Sequence, residues 1–174
     1  LSLSLSLSLS LSLSPHNPIL LLILIIISRR RWGEILIGFS NTGYYGESTA
    51  TFDERFLELL ITRLHVDVNH VGRANQWNAL HYAALACNEQ MMHLLLDRYG
   101  ANPNILTNEL WSPIYFVLRF GCIAPESLRV SLLNLLIEKG ANLFLRTNKG
   151  WSCLHMAVQS EDEVSLRVLL EALS

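Results

Sequence analysis

The pair Cys153 and His155 is the arrangement in this sequence that most resembles catalytic machinery, a thiol nucleophile beside an imidazole base. A nucleophile and its base must lie within hydrogen-bond reach of each other. Residues two apart on a helix point to different faces, so a helical Cys153 would face away from His155. We therefore predict that Cys153 is a buried structural residue and that the chain is not an enzyme.

The remaining cysteines, histidines and glycines show no spacing typical of a metal or phosphate site. Cys87, Cys122 and Cys153 form no Cys-x-x-Cys pair, and the six histidines are not grouped with carboxylates at ligand spacing. Gly33 and Gly38 have the spacing of a phosphate-binding loop, but the Lys-Ser/Thr that should follow is missing. The sequence predicts no bound metal and no cofactor.

Charge and cysteine usage narrow the classes of partner and compartment. Thirteen basic and fifteen acidic residues give a formal charge of -2, which argues against a surface that neutralises nucleic-acid phosphates. Three scattered cysteines fit a reducing compartment better than a disulfide framework. We expect no nucleic-acid partner and an intracellular protein, in the cytoplasm first and the nucleus as the alternative.

Residues 1–51 differ in composition from the rest of the chain. Residues 1–14 are seven Leu-Ser units and residues 19–27 are nine consecutive apolar residues. A membrane-spanning helix needs about 20 apolar residues, so we interpret residues 1–31 as a disordered or artefactual low-complexity segment. An alternative is that residues 19–27 form part of a membrane anchor. Residues 32–51 are rich in Gly, Ser, Asn and Thr, which predicts a linker.

From residue 52 onward the sequence repeats itself, and this repetition determines the predicted elements. Four apolar stretches share one pattern, with a variable third position that is typical of the exposed side of a helix. They are residues 56–61, 91–96, 132–137 and 165–170. Gly100-Ala101-Asn102 and Gly140-Ala141-Asn142 follow two of these helices, as expected for a left-handed helix cap. The sequence thus predicts one such helix in each repeat, followed in two of them by a defined turn.

A second, shorter helix is predicted in each repeat, beginning after Asn78, Ser112 and Ser152. Asn and Ser are favourable N-caps, and Pro113 suits the first helical position. The interval between the first two N-caps is 34 residues and the next is 40. We assign the excess to a lengthened turn at residues 122–127.

This pattern resembles the ankyrin repeat, whose copies carry Gly-x-Thr-Pro-Leu-His-x-Ala-Ala, a helix, and Leu-Leu-x-x-Gly-Ala-x-x-Asn. The resemblance covers about residues 52–173 and implies an all-α ankyrin-repeat solenoid of helix-turn-helix repeats joined by finger loops. It divides residues 52–174 into a half repeat at 52–69 and repeats at about 70–104, 105–144 and 145–174. Neither end shows a polar cap, so we expect further repeats or another domain to flank this segment.

The resemblance also implies roles for individual residues. His81 and His155 stand where the family has a structural histidine that bonds to backbone. The fingers are expected at residues 70–77, 105–111 and 145–151, each ending in a tryptophan that serves either as an interface anchor or as packing against the next finger. The candidate partner-binding residues are Arg73, Trp77, Glu109, Trp111, Arg146, Lys149 and Trp151.

The function implied by this resemblance is protein–protein recognition by a non-catalytic scaffold or adaptor module. Two alternatives stay open because ankyrin arrays occur in proteins of unrelated activity. One is a regulatory ankyrin segment of a larger enzyme. The other is the cytoplasmic ankyrin domain of a membrane-anchored protein.

Overall fold

A computed structural model describes residues 33, 36, 54–121 and 124–174, and all regular elements within them are helices. The helices are α1 (Glu54–Glu58), α2 (Ala79–Leu85), α3 (Glu89–His93), α4 (Pro113–Phe120), α5 (Glu126–Glu138), α6 (Cys153–Gln159) and α7 (Glu163–Leu173). The π-helical segments Leu59–Arg63 and Leu94–Arg98 continue α1 and α3.

The helices are arranged as pairs that stack in sequence order. Helix α2 packs on α3, α4 on α5 and α6 on α7, which defines three helix pairs. Between pairs, α2, α4 and α6 contact one another in one layer, called here the inner helices, and α3, α5 and α7 form the second layer, the outer helices. This two-layer stack of helix pairs confirms the predicted all-α repeat architecture.

The inner helices begin where the sequence predicts. Asn78, Ser112 and Ser152 are the N-cap residues of α2, α4 and α6, and each has an extended backbone. The Asn78 side chain accepts a hydrogen bond from the His81 backbone N–H at 3.0 Å, which satisfies a donor that the helix itself leaves unpaired. Pro113 occupies the first turn of α4.

The glycines after the outer helices adopt the predicted left-handed conformation. Gly100 has φ +64° and Gly140 has φ +82°, a region that costs residues with a β-carbon about 1–2 kcal/mol. In the half repeat, His65 takes this position with φ 51°. The turn is therefore conserved in shape even where the sequence lacks glycine.

The core lies between the two layers and is most densely filled at the middle inner helix. Tyr115 and Phe116 of α4 are the largest fully buried side chains among the described residues. Ala83 and Ala84 of α2 are completely buried, and their small side chains allow α2 to approach α4 closely. Burial of each large apolar side chain contributes about 1.5–3 kcal/mol.

The π-helical segment after α3 absorbs one residue relative to the next repeat. Met92 and Leu133 are both fully buried and stand 41 residues apart, whereas Leu96 and Leu136 are both buried and stand 40 apart. A π-helical turn accommodates such an insertion without breaking the helix. The continuous six-residue alignment predicted from sequence therefore fails in its second half, where Leu95 and Leu96 correspond to Leu135 and Leu136.

The six additional residues of the repeat at 105–144 are only partly in a turn, which corrects the prediction for residues 122–127. Helix α4 is one residue longer than α2, the connection between α4 and α5 is two residues longer than that between α2 and α3, and α5 is three residues longer than Glu89–Arg98. Glu126 and Ser127 form the first turn of α5. The insertion therefore lengthens both helices as well as their connection.

An ion pair ties this longer turn to the following repeat. Arg129 Nε lies 2.8 Å from Asp162 Oδ2, with both side chains largely buried, and an Arg129 guanidinium N–H donates to Ala124 O at 3.2 Å. Asp162 also caps α7 by accepting from Ser165 N–H at 3.2 Å. Burial raises the pKa of Asp162, but the Ser165 hydrogen bonds and the Arg129 charge outweigh it and hold that pKa below its ordinary value.

The predicted N-terminal boundaries fall mostly outside the described residues. Gly33 and Leu36, both in the range predicted as a linker, have helical backbone and are buried, and they belong to the compact unit that comprises residues 31–174. The segments 1–31 and 19–27 lie outside the described residues, so their interpretations stay predictions. Within the described parts of the chain, every helix is too short or too polar to cross a membrane.

Candidate functional site

The three fingers precede the inner helices and share one set of internal hydrogen bonds. Thr107 N–H donates to Trp111 O at 3.0 Å, and Thr147 N–H donates to Trp151 O at 3.0 Å. In the first finger Gly72 N–H donates to Trp77 O at 2.8 Å. These bonds close each finger at its base and place its tryptophan directly before the N-cap of an inner helix.

A left-handed residue turns the tip of each finger. Gln76, Leu110 and Gly150 occupy this position with φ 57°, 60° and 77°. Gly150 matches the first glycine of the ankyrin pattern, whereas Gln76 and Leu110 are departures from it. The structure shows that the departures change the residue type and leave the backbone conformation the same.

Hydrogen bonds between neighbouring repeats hold the fingers in register. Asn108 N–H donates to Asn75 O at 3.2 Å, and Asn148 N–H donates to Glu109 O at 3.1 Å. At the base of the fingers, Asn104 Oδ1 accepts from Asn142 N–H at 2.7 Å. Because these bonds cross from one repeat to the next, the finger side chains have fixed relative positions.

His81 links the inner helix α2 to the second finger. Its Nδ1 accepts from Asn78 N–H at 3.1 Å and its Nε2 lies 3.1 Å from Trp111 O, so the ring is neutral with its proton on Nε2. Burial lowers the pKa of His81 to about 4 against weaker opposing bonds to Trp111 and Ile105 carbonyls. The structural role predicted for this histidine is confirmed.

Tyr115 takes the corresponding position in the next repeat. Its hydroxyl lies 2.6 Å from Leu145 O and 2.9 Å from Trp151 O, and donates its single proton to one of them at a time. Burial raises the pKa of this phenol above its ordinary value. A different side chain thus makes the same link from an inner helix to the following finger.

The finger tryptophans pack on the inner helices and remain partly accessible. The Trp77 ring lies 4.7 Å from the Phe116 ring of the next repeat, edge to face, and 5.1 Å from Tyr82. Trp111 lies 5.6 Å from the same Phe116. The ring partners of these two tryptophans lie on inner helices, and packing of each tryptophan against the next finger stays a prediction.

A groove lies between the second and third fingers, with a volume of about 270 Å³. Four predicted partner-binding residues line it: Glu109, Trp111, Lys149 and Trp151. The charged side chains are exposed and the two indole rings are partly buried. The groove therefore combines apolar walls with charges of both signs at its rim.

The inner helices supply groove residues that the sequence analysis missed. Arg119 at the end of α4, and Met156 and Gln159 of α6, line the same groove. Arg119 and Gln159 occupy the same position of their respective helices, so they could have been found by extending the repeat alignment to the ends of the inner helices. The finger sequences alone identified only the residues on one side of the groove.

The other three predicted residues lie elsewhere. Arg73 is exposed in the first finger, and Trp77 packs on Phe116 and is not among the residues that line the groove. Arg146 donates to Gly150 O at 3.0 Å and lines a separate hollow with Phe144 and Leu154. The structure thus brings together four of the seven predicted side chains.

Cys153 is in an environment that opposes nucleophilic chemistry. It is 1% exposed, and burial raises the pKa of its thiol to about 11, with the Tyr115 hydroxyl acting in the opposite direction. A thiol with this pKa is almost entirely protonated at neutral pH, and the thiolate is the reactive form. The predicted structural role of Cys153 is confirmed. Among the described residues no group of three metal-ligating side chains comes together.

One segment of the chain matches a known protein family. Residues 75–108, from the tip of the first finger to the second finger, match the family model of the ankyrin repeat. The chain contains an ankyrin repeat. The ankyrin match and the all-helical elements agree with the fold class predicted from sequence, and the pairs α4/α5 and α6/α7 repeat the arrangement of the matched segment. No curated protein matches the chain.

Proposed function

We propose that this ankyrin-repeat chain binds a protein partner in the groove between its second and third fingers. The ankyrin repeat is a protein-interaction module, and a non-catalytic scaffold or adaptor role is the specific form that we propose. The observation that carries the proposal is the convergence of Trp111, Trp151, Glu109 and Lys149 at one groove. These residues come from two different repeats held in register by backbone hydrogen bonds.

The composition of the groove fits protein recognition. Trp and Arg are the residue types most often found as energetic anchors of interfaces. Here the indole rings are held at the base of the fingers, so little conformational entropy is lost when a partner covers them. The rim charges Glu109 and Lys149 provide electrostatic selection.

The test is an affinity capture with the full chain as bait and a matched pair of charge reversals. Glu109→Lys alters the groove, whereas Glu138→Lys makes the same change on the exposed side of outer helix α5. We expect Glu109→Lys to lower the recovery of partners at least about fivefold, since reversing an interface charge costs more than about 1 kcal/mol. Glu138→Lys should leave recovery unchanged.

Equal recovery with both variants would refute the groove as the binding site. Circular dichroism of each variant confirms that the helices are retained. Trp111→Ala is not used as the primary variant, because its ring also packs on Phe116 and its loss would weaken the stack itself.

A further inference from the structure

The charges on the finger side of the groove change sign from one repeat to the next. Glu109 and Lys149 stand at the same position of the second and third fingers, two residues before Trp111 and Trp151. Asn148 N–H donates to Glu109 O at 3.1 Å, so the two fingers are directly bonded at this point. A bound chain that crosses from one finger to the other therefore meets first a negative and then a positive side chain.

Both charged side chains are available to a ligand. Glu109 and Lys149 are exposed. Their backbone N–H groups donate to Thr107 Oγ1 and Thr147 Oγ1, each at 3.3 Å. These bonds hold the finger backbone without using the carboxylate or the ammonium group. The charge at either position can therefore be changed while the finger keeps its conformation.

Arg119 adds a second positive charge on the helix side of the groove. It lies in the last turn of α4, in the same repeat as Glu109, and the equivalent residue of α6, Gln159, is neutral. Among the described residues that line the groove, Glu109 is the only anion. The negative charge is thus confined to the second finger, whereas positive charges come from α4 and from the third finger.

The rest of the groove is largely apolar and small. Trp111, Trp151 and Met156 form this apolar surface, and the Trp111 ring lies 6.3 Å from the ring of Phe120. The groove volume of about 270 Å³ is just below the range of roughly 300–1,000 Å³ for pockets that enclose small ligands. The groove therefore accommodates one or two apolar side chains, and a short peptide segment can supply all the contacts.

From these observations we infer that the groove binds a short peptide segment in which a basic and an acidic residue flank a large apolar one. The basic residue pairs with Glu109, the apolar side chain covers the indole rings, and the acidic residue lies towards Lys149 and Arg119. The guanidinium of an arginine suits a carboxylate because it can donate two parallel hydrogen bonds. A segment with charges of one sign alone would set a residue against a like charge, which costs affinity.

This inference rests on the proposed function and adds to it the chemistry of the partner's side chains. Selection from a phage-displayed library of random peptides on the immobilised full chain tests it. We expect the enriched peptides to carry an apolar residue with a basic residue on one side and an acidic residue on the other, in one constant order.

One enriched peptide and its counterpart with the two charges exchanged are then synthesised, and fluorescence anisotropy gives their dissociation constants. The wild-type chain should bind the enriched peptide at least about tenfold more tightly than its counterpart. Glu109→Lys combined with Lys149→Glu leaves the net charge unchanged and should reverse this preference, because each finger then repels the residue that it attracted before.

The matched control makes the same exchange outside the groove. Glu138→Lys combined with Arg63→Glu changes two exposed residues that do not line the groove, and we expect both dissociation constants to stay as in the wild-type chain. Circular dichroism verifies that each variant retains its helices.

Enriched peptides that lack the two opposite charges would overturn the inference, and so would a preference that the exchange in the fingers does not reverse. The absence of any enriched peptide would also overturn it, because a short segment would then not suffice for binding. These outcomes are distinct from a failure of the proposed function. The loss of partner recovery with Glu109→Lys reports binding at the groove whatever the sequence of the partner.

Discussion

The buried His81 makes the stability of the stack depend on pH in a calculable way. In the folded chain the pKa of His81 is about 4, and its ordinary value is 6.5. The unfolded chain therefore binds a proton on this residue at a higher pH than the folded chain does. The contribution of neutral His81 to the free energy of unfolding is therefore fully present above about pH 6.5 and is lost as the pH falls towards 4.

The size of the effect follows from the difference between the two pKa values. One pKa unit corresponds to about 1.4 kcal/mol, so lowering the pH from 7.5 to 4.5 should remove roughly 2–3 kcal/mol of unfolding free energy through His81. Protonation of Nδ1 removes the acceptor of Asn78 N–H and places a charge in the core. Asp97 and Asp162 have pKa values below their ordinary range. The unfolding free energy that these two carboxylates contribute is therefore lost mainly at pH values below about 4.5.

Urea unfolding measured at several pH values between 7.5 and 4.5 checks this prediction. The matched variant is His81→Tyr, because Tyr115 makes the equivalent link in the next repeat. We expect the wild-type free energy to decline across the window and that of His81→Tyr to decline at least about 2 kcal/mol less. Parallel declines in the two proteins would refute the assignment of a buried neutral imidazole.

Three further predictions follow from the described side chains. Gln76→Gly should stabilise the chain by about 0.5–1 kcal/mol and Gly150→Ala should destabilise it by a similar amount, since both positions have positive φ. A β-carbon at Gly150 would meet no atom, so the backbone conformation alone sets the effect. We expect thermal melting temperatures to shift in opposite directions, and shifts of the same sign would contradict this reasoning. Arg129→Met should cost about 3 kcal/mol by leaving buried Asp162 without its cation, whereas a loss below about 1 kcal/mol in urea titrations would show that water replaces the guanidinium. Cys153 should resist a thiol-specific reagent at pH 8 until the chain unfolds, which mass spectrometry of labelled peptides would report, and rapid labelling of the folded chain would contradict its burial.

The sequence was sufficient for features that depend on one residue's backbone preference. The N-caps at Asn78 and Ser152 and the left-handed glycines Gly100 and Gly140 were found because capping and positive φ restrict the residue types allowed. The repeat spacing then placed the inner and outer helices. Fold class followed, since each copy is a helix pair that buries its apolar face only by stacking.

Features that depend on contacts between repeats were not accessible from sequence. Glu126 and Ser127 suit a turn and the first turn of a helix equally well, so the insertion was placed in the turn although most of it lengthens the helices. The extra residue near Leu94 is absorbed by a π-helical turn, which no local pattern signals.

For the candidate site, residue type and finger position identified Glu109, Trp111, Lys149 and Trp151. Arg119 and Gln159 were missed because the way in which α4 and α6 stack decides whether their side chains line the groove. Arg146 was included because an exposed finger charge gives no sign of which hollow its side chain faces. The sequence therefore predicted the finger side of the groove and left the helix side undefined.

Site-specific photo-crosslinking in cells is the most direct test of the claim that the finger groove binds a protein. A benzophenone amino acid is placed at Lys149 on the groove or, as control, at Glu138 on the outer surface of α5, and both residues are exposed. We expect crosslinked protein adducts from position 149 that are absent, or at least about tenfold weaker, from position 138. Adducts from position 138 alone, or none from position 149, would contradict it.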